Sequence, residues 1–83
     1  AAEQGHPRSQ NNLGCMYSNG RGVTKDYKKA FEWYTKAAEQ GDAGGQCNLG
    51  TMYENGYGVT KAYKKAVEYW LKLANIILFF LKV

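Results

Sequence analysis

Eighty-three residues can fold as one small domain at most, and a chain this short buries only about 60 to 65% of the surface its unfolded form exposes, so a thin core is expected. An apolar content of 45%, with seven tyrosines, three phenylalanines and two tryptophans, argues against intrinsic disorder. The net charge of +4 permits weak attraction to anionic partners without singling out nucleic acid, and two cysteines allow at most one disulfide and no four-ligand zinc site of their own.

The opening residues AAEQGHPRSQ lack a basic start followed by an apolar run, so no signal peptide is read from them and the compartment is left open. A first helix is predicted over 7–18, because Gln10, Leu13, Gly14 and Tyr17 recur at helical spacing and Pro7 suits a first helical position. Asn19-Gly20 ends it, both residues tolerating a left-handed backbone. In the connector NGRGVTK the glycines supply turn angles, and Val23 is the one apolar residue available to pin it to the core. The pattern is neither GxGxxG nor a Walker loop and no strand precedes it, which makes it a structural turn rather than a phosphate cradle.

A second helix is expected over 26–40, with Asp26 as its cap, Gly41 closing it, and Tyr27, Ala30, Phe31, Tyr34 and Ala38 on one face. Asp42 caps a third helix over 43–54 that carries Gln46, Leu49, Gly50 and Tyr53. For the fourth helix Thr60 is the expected cap, since Ala62 stands where Asp26 stood, and the face reads Tyr63, Ala66, Val67, Trp70 and Ala74. That helix runs without a break into IILFFL and is predicted to end near residue 82.

These elements are one unit written twice. Residues 1–36 align without gaps on residues 37–72, with 23 identical positions and 13 that differ, and a 36-residue period signals stacked supersecondary units that cannot bury their apolar faces singly. The expected fold is therefore all-α, an α/α solenoid of antiparallel helix pairs. Residues 1–5 match the tail of a preceding second helix, 6–41 and 42–72 are the two repeats, and 73–83 form an apolar extension or cap.

The LGxMYxNGxGV block at 13–23 and 49–59, the YKKA that opens each second helix and the WYTKAAEQG close at 33–41 resemble the Sel1-like repeat, a relative of the tetratricopeptide repeat. That resemblance covers residues 1–72. It implies a scaffold or adaptor for other proteins. Some cysteine-rich members bind or hydrolyse β-lactams, but they pair cysteines inside each repeat, whereas this chain has one per repeat at different repeat positions.

No enzyme is read from the residues. His6 is the only histidine and stands at a helix start, and Ser9 and Ser18 lead into SQNN and SNGR rather than an acylation motif. Lys28-Glu32-Lys36 and Lys64-Glu68-Lys72 mark solvated helix faces, worth about 0.2 to 0.5 kcal/mol per pair. The recurring lysines at 25, 28, 29, 61, 64 and 65 offer an alternative of weak contact with an anionic polymer or lipid, although no nucleic acid is expected. The tail is too short and too interrupted by Lys72 for a membrane span, so residues 76–81, from Ile76 to Leu81, are read as a cap over the solenoid end or a self-association surface.

Recognition is sought where the copies differ. If the first helices lie as in tetratricopeptide repeats, their inner positions are Arg8, Asn11, Cys15 and Ser18, matched by Gly44, Cys47, Thr51 and Glu54, and all four pairs differ. Asn12 and Asn48, kept in both copies, add amides that could bond a ligand backbone or a neighbouring helix. Cys15 and Cys47 are expected as free thiols, since helices about 8 to 10 Å apart hold Cα atoms beyond disulfide reach. The expected partner is thus a protein or peptide on the concave face, with no metal or cofactor.

Overall fold

The computed structural model describes residues 5–81, apart from the side chain of Ile76. Four helices follow one another: α1 (Pro7–Asn19), α2 (Tyr27–Glu39), α3 (Ala43–Asn55) and α4 (Tyr63–Leu81). The pairs α1–α2 and α3–α4 stack through α2 on α3, with a lighter contact of α1 on α3, and the backbone of α4 approaches only α3. This is the expected α/α solenoid.

The helix ends follow from local chemistry. Asp26 Oδ1 accepts from Lys29 N at 3.1 Å and Asp42 Oδ2 from Gly45 N at 2.8 Å, each satisfying an amide that the first turn leaves without a helical partner. His6 makes no such cap, and Pro7 in the first turn of α1 has no amide to satisfy. At α4 the expectation for Thr60 is corrected. The helix starts at Tyr63, and Ala66 N bonds to Ala62 O just as Ala30 N bonds to Asp26 O, so Ala62 holds the cap position and Thr60 lies two residues outside.

α1 and α3 each run one residue beyond the expected end. Asn19 and Asn55 are helical rather than left-handed, and their Nδ2 groups donate back to Cys15 O and Thr51 O at 2.9 Å. The left-handed step falls on Gly20 and Gly56, at φ 68° and 71°, and Arg21 N and Tyr57 N then return to the carbonyls of Met16 and Met52. Asp26 N to Tyr17 O and Ala62 N to Tyr53 O fasten both connectors in the same way, with Val23 and Val59 half-buried against the helices.

Inside each pair an aromatic ring lies over a glycine. A Cβ on Gly14 would stand 2.6 Å from two carbons of the Tyr34 ring, and one on Gly50 would overlap Trp70. The core between the repeats is small, as expected: Ala30, Tyr34, Ala38, Leu49 and Met52 are buried, with Cys15, Tyr17, Tyr27, Phe31 and Tyr69 packed around them. Rings link the repeats, Tyr27 stacked on Tyr57 at 4.4 Å and Phe31 edge-on to Tyr53 at 5.6 Å.

The tail does not fold across the solenoid end. Ile77 stands where Gly41 reverses the chain in the first repeat, and without a residue suited to positive φ the helix simply continues. Ile77 to Leu81 are therefore 53 to 76% exposed. The side chain of Ile76 and the predicted end at Lys82 lie outside the described residues. No helix among the described residues is long and apolar enough to cross a membrane.

A polar consequence follows from the same departure. Gln10 and Gln46 are equivalent and buried, and Gln10 Oε1 accepts from Gln40 Nε2 at 2.6 Å. The repeat places Ile76, which has no donor, at the position of Gln40, and Gln46 Oε1 has no partner among the described residues. Among the described residues Gln46 Nε2 reaches only Ala38 O, at 3.4 Å.

Two substitutions test this packing. Gly14→Ala and Gly50→Ala are each expected to lower the urea unfolding free energy by about 1 to 2 kcal/mol, overpacking outweighing the better helix propensity of alanine. Ile76→Gln is expected to raise it by about 0.5 to 1.5 kcal/mol by returning a donor to Gln46, read as a higher urea midpoint at unchanged m.

Candidate partner-binding site

The residues expected to face a partner fall into two sets. Asn11, Cys15, Gly44 and Asn48 meet in the seam between α1 and α3. Asn48 Nδ2 donates to Asn11 Oδ1 at 2.9 Å and lies 3.8 Å from Cys15 Sγ, and Gly44 leaves room for the Asn11 amide, which a Cβ there would meet at 2.8 Å. Asn48 thus bonds the neighbouring helix, one of the two roles open to it. Arg8, Asn12, Cys47 and Thr51 are exposed, and Ser18 and Glu54 are half-buried toward the helix ends.

The cysteines are free thiols in different settings. Cys47 is exposed, with Thr51 Oγ1 donating to its carbonyl at 3.3 Å. Cys15 packs on the core and its Sγ accepts from the Tyr34 hydroxyl at 3.3 Å. Among the described residues no group of three His, Cys, Asp or Glu could hold a metal ion.

Beside this seam, Asn12, Cys15, Met16 and Arg21 line an open groove of about 440 Å³. Met16 and Arg21 were not among the expected partner-facing residues. The comparison of copies carries a signal for Arg21, which stands opposite Tyr57, but none for Met16, whose counterpart Met52 is identical. The lysine stripe is partly engaged by the chain's own rings, with Lys25 over Tyr27 at 4.7 Å, Lys29 over Tyr17 at 5.5 Å and Lys65 over Tyr53 at 5.4 Å.

Electrostatics single out Tyr34. Burial lifts its hydroxyl well above the ordinary tyrosine range, the contact with Cys15 pushes the same way, and Ser18 opposes. A raised folded pKa means that the unfolded chain loses this proton first on alkalinisation. Its stability contribution is fully present below about pH 10, the unfolded value, and is lost as pH climbs toward the raised folded value. Urea midpoints followed through that window are expected to fall less steeply for Tyr34→Phe than for the unsubstituted chain, whereas parallel curves would show that Tyr34 does not set the alkaline limit.

Comparison with known proteins places this geometry. The family model for the Sel1 repeat matches residues 7–42 and 43–75. Among solved structures, a Sel1 repeat protein from Oxalobacter formigenes is 46% identical with a TM-score of 0.84, covering 87% of this chain and 30% of that one. A protective antigen of uropathogenic Escherichia coli strains, displaying an SLR fold, is 44% identical with a TM-score of 0.88 over 90% of this chain and 16% of its own. Cysteine rich protein B of Helicobacter pylori is 36% identical with a TM-score of 0.78 over 83% and 52%. The chain therefore spans between about a sixth and a half of the length of these proteins. A search of curated proteins gives no match. With residues 7–42 and 43–75, most of the chain, matched as two successive repeats, the chain belongs to the Sel1 repeat family.

Proposed function

We propose that the chain is a non-enzymatic scaffold or adaptor that holds a protein or peptide segment along the inner face of α1 and α3. Sel1 repeats are commonly protein-interaction modules, which supports the class but not the partner. The observation that carries the finer reading is the distribution of differences between the copies. The packing positions Leu13/Leu49, Gly14/Gly50 and Tyr17/Tyr53 are identical, while Arg8/Gly44, Asn11/Cys47, Cys15/Thr51 and Ser18/Glu54 change on the face that includes the α1–α3 seam.

The seam contributes rigidity to such a face. Asn11 and Asn48 are held by each other and Cys15 by Tyr34, so their backbone is set before a ligand arrives, and less ordering entropy opposes binding. Exposed Arg8, Cys47 and Thr51 then stand beside that seam as the groups free to contact a segment. Its backbone amides would find Asn and Thr acceptors, and an acidic side chain would find Arg8.

Peptides selected from a displayed random library against the chain provide the test. Arg8→Glu and Cys47→Arg are expected to weaken a selected peptide tenfold or more, about 1.4 kcal/mol, without moving the melting temperature, while Lys28→Glu leaves binding unchanged. Peptides that bind equally well to all three variants, or that shift NMR signals of α2 and α4 alone, would place recognition elsewhere.

A further inference from the structure

A buried acceptor without a donor stands beside a small recess between the two helix pairs. Gln46 is only 8% exposed, and its Oε1 has no hydrogen-bond partner among the described residues. α2 and α4 flank α3 without their backbones meeting, and toward the connectors Phe31, Tyr53 and Tyr69 fill the space between them, Tyr53 stacked on Tyr69 at 5.9 Å. Beyond those rings a recess of about 150 Å³ remains, lined by Gln46 and Leu49 of α3, Thr35 and Glu39 of α2, and Tyr69 and Lys72 of α4. It has room for one side-chain-sized group and not for a drug-sized molecule.

The first repeat shows which chemistry suits this acceptor. Gln10 Oε1 accepts at 2.6 Å from the carboxamide of Gln40, which stands one turn beyond Lys36 and also donates to its carbonyl. In the second repeat Lys72 keeps the place of Lys36 but Ile76 replaces Gln40, so the amide is gone while its acceptor stays. The other polar groups of the recess narrow the choice. Thr35 Oγ1 donates to Phe31 O at 2.8 Å and so offers only lone pairs, Glu39 accepts, and Lys72, its Nζ 5.1 Å from the centre of the Tyr69 ring, donates. A cationic ligand would meet the like charge of Lys72. A carboxylate would bring no donor to Gln46. A neutral primary amide brings an N–H2 for the acceptors and a carbonyl for Lys72.

We propose that this recess is a binding site for a primary carboxamide, such as the side chain of a glutamine or asparagine. The bound N–H2 donates to Gln46 Oε1 and the bound carbonyl accepts from Lys72, so that the ligand does for Gln46 what Gln40 does for Gln10. Among the described residues Gln46 Nε2 is held only by a long contact of 3.4 Å to Ala38 O, so the amide turns toward the recess at little cost. Gln46 and Leu49 lie on the side of α3 turned away from Gly44, Cys47 and Thr51. The site is therefore separate from the partner-facing seam, and neither reading depends on the other.

An NMR titration of the isotope-labelled chain with N-acetylglutamine N′-methylamide tests this, with the glutamate and methionine analogues as controls. The glutamine compound is expected to shift the Gln46 side-chain amide and the backbone signals of Leu49 and Tyr69 saturably, in the millimolar range that one small group can reach, while the controls leave them in place. Propionamide is expected to move the same signals. Weaker binding than the glutamine compound marks a polypeptide side chain as the source, and equal binding a free small amide. Ile76→Gln supplies the amide from within the chain and Gln46→Leu removes the acceptor, so each is expected to weaken binding at least about tenfold. Neither is expected to lower the melting temperature, which separates lost binding from lost folding. The absence of any saturable shift at these residues, as for a recess that holds water alone, would overturn the proposal. So would equal binding of the methionine analogue, or unchanged affinity in both variants.

Discussion

An aromatic ring laid over a helical glycine sets the spacing of each helix pair, and the rest of the molecule depends on that spacing. Tyr34 over Gly14 and Trp70 over Gly50 bring the backbones close enough for alanine-lined faces to meet, which is why Ala30 and Ala66 are wholly buried in so small a chain. Where the ring changes from tyrosine to tryptophan the glycine is kept. The constraint is one of shape: no side chain fits at Gly14 or Gly50 while the opposite ring stays in place.

Stacking the pairs introduces a second kind of contact, in which polar groups and rings count as much as aliphatic burial. Leu49 and Met52 supply the apolar centre, but Asn11 with Asn48, Cys15 with Tyr34, and the stack of Tyr27 on Tyr57 surround it. Directional groups of this kind define the register between units, because a small rotation that cost little in apolar area would break each of them. A rigid seam of this sort is suited to presenting variable residues on its surface.

Much of the fold was legible in the residues. Helical spacing located all four helices, Asp26 and Asp42 marked two starts, and the 36-residue period identified the solenoid, because these signals are local and appear twice. The errors have local causes as well. Thr60 was favoured as a cap because Ala62 cannot accept through a side chain, yet the backbone of the second connector closes as the first does and carries the helix start to Tyr63 without one. The tail, read as an extension or a cap, continues α4 to Leu81, because nothing at residues 76 and 77 turns the chain.

The pairing of partner-facing residues was less legible. Asn11 and Asn48 are separated by 37 residues rather than one period, and Asn11 has cysteine as its counterpart, so no repetition announces their bond. By itself the sequence determined the repeat, the helices, the glycine hinges and the family, since each rests on short-range spacing that backbone geometry reads directly. Only the tertiary structure decided that Cys15 is held by Tyr34 while Cys47 is exposed, that Gln46 loses the partner Gln10 keeps, and that Met16 lies open where Met52 is covered. Identical residues met different fates because burial belongs to the neighbouring helix, and the two ends of a stack do not have the same neighbours.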